Sequence, residues 1–286
     1  MTTIAENIQT LRSIKSDIKN AITDKGGSVG NDFKTYAQAI TNLPSGGGGG
    51  TENEDGLVMR TISGTYYNDR ISMVGDYAFY MCSELTSVSL PNCLSVNQYA
   101  FGSCSLLQSI DLPNCTYVGN TVFWICESLK SIDLPNCLSV GSGAFNGCGL
   151  TSVSLPLCSY VGNSAFINCY SLASIDLPNC LSLSSSVFAF CSSLISVNLP
   201  KCISLNGAVF SYCSKLTYVN LPLCEYVSNY VFSYCTLIPF IDLPNCSYVG
   251  TQAFFYCISL SSINLQNCLS IGYQTFAYCL ALPLID

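Results

Sequence analysis

The chain has 286 residues, of which 9% are charged and 49% are apolar, and its formal net charge is −7. Ordinary globular domains carry roughly 25% charged residues, so this surface is built largely from hydroxyl and amide groups. Beyond Ile71 the only cations are Lys130, Lys201 and Lys215, which excludes nucleic-acid binding by that region. The chain contains no histidine, the commonest general base and metal ligand.

The predicted elements begin with a helical module over residues 1–44, which does not repeat. Its first helix carries a heptad-like row of apolar residues and ends at Gly26-Gly27. This row consists of Ile4, Ile8, Leu11, Ile18 and Ile22. A second helix begins near Asn31 or Asp32 and has apolar residues on one face, among them Phe33, Tyr36 and Ile40. Because so short a row is unstable alone, we expect these residues to mediate oligomerisation or attachment.

The module contains the motifs Ile18-Lys-Asn-Ala-Ile22, Gly26-Gly-Ser-Val and Phe33-Lys-Thr-Tyr-Ala37. These motifs resemble N-terminal segments of phage tail and appendage proteins, and residues 57–71 resemble the segment that precedes repeats in phage proteins. The resemblance implies a virion component. A helical hairpin that only caps or tethers another part remains the alternative. Residues 45–56, which include five consecutive glycines, are predicted to be a flexible linker.

Residues 57–286 are dominated by a 22-residue repeat that is shortened once to 21 residues. Each repeat has a phenylalanine and a cysteine three positions later, and in all but the last a second cysteine follows eleven positions after the first, or ten in the shortened repeat. The phenylalanine column comprises Phe79, Phe101, Phe123, Phe145, Phe166, Phe188, Phe210, Phe232, Phe254 and Phe276. The two cysteine columns account for all nineteen cysteines. Between the columns, segments such as Leu85-Thr-Ser-Val-Ser-Leu-Pro-Asn-Cys93 follow the leucine-rich-repeat pattern LxxLxLxxC.

The wider unit, V-G-x-x-A-F-x-x-C-x-x-L-x-x-I-x-L-P-x-C, resembles the BspA-like leucine-rich repeats of bacterial and protist surface proteins. In Val88-Ser89-Leu90 the alternation predicts a half-buried strand, which Pro91 ends. Stacking such units about 4.8 Å apart builds a parallel sheet over a continuous apolar core. The expected fold class is therefore an α/β repeat solenoid, a leucine-rich-repeat stack preceded by the small all-α module.

The cysteines allow three interpretations: buried free thiols, disulfides or a metal site. Stacked Cα atoms lie within disulfide range, but side chains in register point the same way, which separates their Cβ atoms. The segment Met1–Glu6 lacks the features of a secretory signal, so we expect synthesis in a reducing cytoplasm and no membrane insertion. Cysteine also suits crowded apolar positions. We therefore favour free thiols, with no metal and no cofactor.

Binding residues are sought among the exposed columns of the C-terminal half. One slot, two residues after the phenylalanine, holds Tyr212, Tyr234, Tyr256 and Tyr278 in consecutive repeats. Tyr218 and Phe240 lie on the predicted strand face of the same half. Tyrosine provides a large contact area at small entropic cost, so these six residues are the candidate binding patch. Partial burial of the tyrosines is the alternative.

Other columns give weaker indications. Asp111 and Asp133 are neighbours in the predicted stack and suit either a cation or the hydroxyls of a sugar, unless the row is simply solvated. A second tyrosine slot holds Tyr117, Tyr160, Tyr226 and Tyr248. The repeat pattern stops in mid-unit near Leu282, so we expect a partner to cover the C-terminal end, with a frayed end as the alternative.

The predicted function is that of a phage virion protein of the tail or another appendage. Its partners would be other virion proteins and a glycan or protein on the host surface. The chain would also assemble with further copies of itself, for example as a trimer. A non-viral bacterial adhesin and an intracellular protein-binding scaffold are the alternatives. An enzyme is not expected, because no histidine is present to build the usual hydrolase arrangement.

Overall fold

The computed structural model describes residues 62–283, which contain twenty β-strands and no helix. The strands are β1 (Gly64–Tyr67), β2 (Met73–Val74), β3 (Leu85–Ser89), β4 (Ser95–Val96), β5 (Ser109–Asp111), β6 (Tyr117–Val118), β7 (Ser131–Asp133), β8 (Ser139–Val140), β9 (Ser152–Ser154), β10 (Tyr160–Val161), β11 (Ser174–Asp176), β12 (Ser182–Leu183), β13 (Ser196–Asn198), β14 (Ser204–Leu205), β15 (Tyr218–Asn220), β16 (Tyr226–Val227), β17 (Phe240–Asp242), β18 (Tyr248–Val249), β19 (Ser262–Asn264) and β20 (Ser270–Ile271). The predicted helical module and linker, including the apolar row and Phe33, Tyr36 and Ile40, lie outside the described residues.

The strands build a parallel β-solenoid in which each repeat forms one turn, here called a rung. The short even-numbered strands form one ten-stranded sheet in the order β2 to β20. The odd-numbered strands form shorter parallel sheets on a second side of the rung. Equivalent residues are paired across rungs, as Val74 with Val96 and Ser174 with Ser196. This register confirms the predicted parallel stack, since a constant period places each residue beside its equivalent in the next repeat.

The core is formed by the phenylalanine column together with the regularly spaced leucines and cysteines of each rung. Neighbouring phenylalanine rings stack along the whole column, with centroid separations of 4.8 to 5.7 Å. The eight side chains from Phe101 to Phe254 are fully buried. A rung cannot bury its own apolar face, so each one depends on both of its neighbours.

The third side of each rung is the return segment around the phenylalanine, between the even-numbered strand and the next odd-numbered strand. The prediction of an α/β repeat is wrong there, because this segment contains no helix in the described residues. Residues two before and two after the phenylalanine have positive φ angles, for example Ala208 (58°) and Tyr212 (61°). Such left-handed residues interrupt any run of right-handed helix. Their backbone hydrogen bonds pass between rungs instead, and the Tyr212 N–H donates to the Ser233 carbonyl oxygen at 2.8 Å. The return segment is therefore a series of turns.

None of the cysteines forms a disulfide, and all except Cys268 and Cys279 are buried. In the first column, from Cys104 onward, the thiol donates to the phenylalanine carbonyl of the preceding rung, as Cys104 does to Phe79 with a 3.0 Å separation. In the second column it donates to the carbonyl two residues later, as Cys93 does to Ser95. The prediction of buried thiols is confirmed for seventeen of the nineteen. Residues 62–283 contain no group of three or more cysteines or carboxylates arranged to hold a metal ion.

The turns between the two strand sides are joined by asparagine side chains. Each donates from Nδ2 to a carbonyl oxygen of the preceding rung, as Asn136 does to Pro113 at 2.8 Å. The same bond is made by Asn92, Asn114, Asn179, Asn245 and Asn267. The bond satisfies a carbonyl at the turn and adds one polar tie between rungs. Within the described range, no helix has the length and hydropathy to cross a bilayer.

Candidate ligand-binding groove

Four of the predicted binding residues lie in one aromatic stack on the third side of the rung. Tyr212 and Tyr234 have ring centroids 4.4 Å apart, with an angle of 10° between the ring planes. Tyr256 and Tyr278 continue the stack at 5.2 and 5.7 Å, with increasing tilt. Phe190 extends it at the other end and lies 4.8 Å from Tyr212. The sequence prediction missed Phe190 because it followed tyrosine alone, although Phe190 occupies the same slot of its repeat.

The backbone explains why these rings project from the surface. All five residues of the aromatic stack are left-handed, with φ between 60° and 63°. A side chain in this region costs roughly 1–2 kcal/mol relative to glycine. Gly147 fills the same slot in an earlier repeat and keeps the left-handed turn, with φ of 71°. The turn therefore does not require an aromatic residue, and the rings must contribute something else, either mutual stacking or contact with a ligand.

A groove of about 400 Å³ runs beside the aromatic stack. Its floor consists of the small residues that follow the phenylalanines, namely Ala189, Ser211 and Ser233. One wall is formed by Phe190, Tyr212 and Tyr234, and the facing wall by Ser186, Ala208, Tyr230 and Gln252. At each end of the groove a larger residue occupies the floor position, namely Ile167 at one end and Phe255 at the other. The groove thus spans three consecutive rungs with a small floor residue.

The groove is electrically neutral but retains hydrogen-bonding groups. None of the described residues that line it is Asp, Glu, Lys or Arg. Ser211 and Ser233 are 8% and 4% exposed and supply hydroxyls at the floor. The pKa of Tyr234 is raised by desolvation and then by the neighbouring Tyr212 hydroxyl, so its phenol stays protonated at neutral pH. The groove therefore offers hydroxyl and amide groups between apolar rings.

The other two predicted binding residues lie elsewhere. Tyr218 and Phe240 are exposed on β15 and β17. Tyr218 borders a separate depression of about 290 Å³ over the strand face, together with Asp176 and Asn198. No residue lines both this depression and the groove. The six candidates are therefore divided between two surfaces of the solenoid.

The polar row of the strand face is joined by hydrogen bonds within itself. Asn198 donates to Asp176 at 2.8 Å, and Asn220 donates to Asn198 at 2.7 Å. Asp111, one of the pair considered for a cation or sugar, accepts from the Ser89 hydroxyl at 2.9 Å. These bonds favour the interpretation of a solvated row whose groups satisfy one another.

The second tyrosine slot lies on the ten-stranded sheet. Tyr226 and Tyr248 stack there at 4.9 Å. Tyr117 and Tyr160 belong to the same slot, but both are paired with Ser139 and so lack a tyrosine neighbour in that rung. Tyr226 is exposed and Tyr248 is half-buried, so Tyr226 is the ring of this side that is useful as a control for the groove.

A second aromatic cluster on the third side was not predicted. Tyr77 and Tyr99 stack at 5.1 Å, and Tyr80 packs edge-on against both. Trp124, the only tryptophan of the chain, packs edge-on against Tyr99 at 6.3 Å. The signal was present in the sequence, since Tyr77 and Tyr99 are one repeat apart.

The parallel stack, the phenylalanine and cysteine columns and the exposed aromatic face define a leucine-rich-repeat solenoid. The sequence profile of the BspA type leucine rich repeat region (6 copies) matches residues 61–173, 116–239 and 159–283. The chain belongs to this family.

Three solved structures of bacterial leucine-rich-repeat proteins have detectable similarity to the chain. A leucine-rich repeat protein from Bacteroides ovatus is 23% identical, with 78% of each chain covered and a TM-score of 0.41. The T. pallidum leucine rich repeat protein is 26% identical over 62% of this chain and 78% of that one, with a TM-score of 0.47. A leucine rich cell surface protein from Faecalibacterium prausnitzii is 20% identical over 78% of each chain, with a TM-score of 0.40. No curated protein is significantly similar to the chain.

Proposed function

We propose that the chain is a non-enzymatic recognition protein that binds a component of a host surface through the groove beside the aromatic stack. The observation that carries this proposal is the row of five rings in left-handed positions, four of them exposed and Tyr234 half-buried, which Gly147 shows to be unnecessary for the turn. Mutual stacking offsets the cost of the left-handed backbone, so the outward-facing rings are available for contact with a ligand. The neutral lining favours a partner without charge.

The side chains around the groove support binding over catalysis. The chain contains no histidine, and the groove hydroxyls have no carboxylate or amine beside them among the lining residues. The buried thiols are poor nucleophiles, because desolvation raises the pKa of Cys213 and Cys191 well above the usual value. A nucleophile with an adjacent general base, as acyl or glycosyl transfer requires, is not supplied by these residues.

We further propose that the chain is a structural protein of a phage tail or another virion appendage. The support is the resemblance of residues 1–44 to N-terminal segments of such proteins. In this arrangement residues 1–44 attach to other virion proteins and assemble copies of the chain, while the solenoid binds the host. The chain would be made in the host cytoplasm and leave the cell within the particle.

Binding at the host surface is tested with fluorescently labelled full-length chain and intact bacterial cells. The double variant Tyr212→Gly/Tyr234→Gly should reduce binding, because it removes two rings and leaves a residue that the turn accepts. The control is Tyr226→Ser, which removes a comparably exposed ring from the ten-stranded sheet and installs the residue found at Ser204. Equal binding by both variants and the wild type would contradict a role for the groove.

The virion assignment is tested by immunogold electron microscopy of cells and of the particles they release. Labelling at one end or one appendage of the particles is expected. Labelling of cell walls without particles would instead support an adhesin, and label confined to the cell interior would support a scaffold. Either of those two outcomes would overturn the virion proposal while leaving recognition through the groove open to its own test.

A further inference from the structure

We infer that the ligand of the groove is a segment of an uncharged glycan chain, lying along the solenoid axis between the aromatic stack and the facing wall. This inference rests on the proposed recognition function and specifies its ligand. It follows from four properties of the groove, namely its shape, its lack of charge, the state of its backbone hydrogen bonds, and the orientation of its rings.

The shape fits a short linear segment. The three small floor residues lie on consecutive rungs, so Ala189 and Ser233 are two rungs, or roughly 10 Å, apart. The volume of about 400 Å³ falls within the range of small-ligand sites. Ile167 and Phe255 replace the small floor residue at the two ends. Phe255 is held edge-on between Tyr234 and Tyr278, at 5.5 and 5.3 Å. The groove is thus long enough for a few sugar rings in a row.

The lining excludes ligands that are recognised through charge. Phosphorylated or acidic chains are bound by arginine and lysine, and basic peptides by carboxylates. None of these side chains lines the groove. The polar groups present are the hydroxyls of Ser186, Ser211 and Ser233, the phenols of the walls and the Gln252 amide. Hydroxyl and amide groups donate and accept, which matches the hydroxyl groups of a neutral sugar.

The backbone of the groove is not available to a peptide strand. Addition of a strand requires unpaired N–H and C=O groups at an edge. Along this wall the N–H groups of Phe190, Tyr212 and Tyr234 donate to the carbonyls of the next rung at 2.8 Å. Those bonds run between rungs from one end of the groove to the other, so no free edge borders it. An extended peptide would therefore lose the main-chain hydrogen bonds on which this mode of binding depends.

The orientation of the rings disfavours a flat aromatic ligand. The faces of Phe190, Tyr212 and Tyr234 are turned toward one another at 4.4 to 4.8 Å, which leaves no room for another ring between them. The stack therefore presents ring edges and phenol hydroxyls along its length. Ring edges carry partial positive charge and attract oxygen. A ligand rich in oxygen along its whole length makes use of this surface.

The repeats themselves provide variants that should fold. Ser211→Ile/Ser233→Phe fills the floor with the residues that the same slot contains at Ile167 and Phe255. Tyr212→Gly/Tyr234→Gly removes the wall and uses the residue found at Gly147. The control Tyr226→Ser changes a ring outside the groove. Circular dichroism and urea unfolding establish that each full-length variant keeps the fold before binding is measured.

The test uses an array of neutral linear oligosaccharides of glucose, galactose, mannose and N-acetylglucosamine, with oligogalacturonate as an anionic comparison. The expected result is binding of the wild-type chain to at least one neutral series and not to oligogalacturonate, with little dependence on ionic strength. Both groove variants should weaken that binding at least about tenfold, which corresponds to about 1.4 kcal/mol, while Tyr226→Ser leaves it unchanged.

The inference is overturned if no neutral series binds, or if binding survives in the filled groove. The cell-binding experiment then separates the two proposals. Cell binding that depends on the groove and is abolished by protease treatment of the cells would retain recognition but identify a protein ligand. Cell binding that is unaffected by both groove variants would reject the proposed function of the groove as well.

Discussion

Tyr212 and Tyr234 stack with their ring centroids 4.4 Å apart, and both occupy left-handed backbone with φ of 61° and 62°. Two opposing free energies therefore act at each residue. The left-handed conformation costs a side chain roughly 1–2 kcal/mol relative to glycine. Stacking between two aromatic rings stabilises by roughly 0.5–1.5 kcal/mol beyond the area it buries. Because the backbone cost and the stacking gain are of similar size, folding stability places little constraint on which residue occupies these positions.

Tyr212 stacks on both Phe190 and Tyr234, so Tyr212→Gly should lower the free energy of unfolding by no more than about 2 kcal/mol, because the relieved backbone offsets much of the lost stacking. Phe210→Ala, two residues earlier, should destabilise by about 3–5 kcal/mol, since Phe210 is fully buried in the core column. Urea unfolding of both variants measures the difference. Similar losses of stability in the two would show that the aromatic stack is structural.

A second prediction concerns a close approach between two glycines. A Cβ at Gly141 would lie 2.5 Å from the carbonyl carbon of Gly119, so the backbones of adjacent rungs would have to separate. Gly141→Ala should destabilise by about 1–3 kcal/mol. Gly75 occupies the same slot of the repeat, but a Cβ added there would have no atom of residues 62–283 within 4 Å. Gly75→Ala should therefore be neutral or slightly stabilising, and thermal unfolding of the pair distinguishes the two cases.

The asparagine ties between rungs predict a smaller effect. Asn136→Leu removes the 2.8 Å hydrogen bond to the Pro113 carbonyl and installs the residue that Leu157 provides in the next repeat. The expected loss is about 0.5–1.5 kcal/mol, the net value of one hydrogen bond. The matched change Ser131→Ala, on the exposed strand face, should have a smaller effect in the same urea titration. An unchanged midpoint for Asn136→Leu would mean that water replaces the bond without loss.

The buried thiols predict alkaline unfolding. Burial raises the pKa of Cys82, Cys158 and Cys202 from 9.0 to about 11, and that of Cys169 to about 12. The unfolded chain releases these protons near pH 9 while the folded chain retains them, so rising pH favours the unfolded state. Stability is intact below pH 9 and is lost between pH 9 and about 11 to 12. Each thiol contributes about 1.4 kcal/mol per pH unit across its interval.

Circular dichroism and thiolate absorbance, followed together in a pH titration under reducing conditions, check this prediction. Loss of the β signal should accompany the appearance of thiolate, and return to neutral pH should restore both. Thiolate formation near pH 9 in a chain that keeps its native signal would contradict the assignment of these cysteines to the desolvated core.

The last prediction concerns assembly through residues 1–44. Ile8→Glu/Ile18→Glu places charges in the predicted heptad-like row and should convert an oligomer to monomers, because the row requires apolar contacts between helices. Gln9→Glu/Asn20→Glu adds the same charge outside the row and should leave the oligomer intact. Sedimentation equilibrium of the full-length variants measures both. Identical sedimentation of the two double variants and the wild type would remove the basis for assigning assembly to this row.

Much of the solenoid follows from the sequence alone. The constant spacing from Phe79 to Phe276 places equivalent residues side by side, because parallel strands in register repeat the same residue at every rung. The alternation in segments such as Val88-Ser89-Leu90 assigns one face of each strand to the core. The same spacing favours interior ladders for the two cysteine columns, and seventeen of the nineteen cysteines are buried.

Only the tertiary structure decided what the third side does and where a site forms. The short segment around Phe210 has a composition compatible with one helical turn, and only the positive φ angles of Ala208 and Tyr212 show that it is not helical. Those angles aim Tyr212 outward, whereas Tyr218, six residues later, emerges on the strand face. The groove in turn depends on three consecutive small floor residues lying beside a continuous aromatic stack. That combination involves different slots in neighbouring rungs, so it appears only when the rungs are packed together.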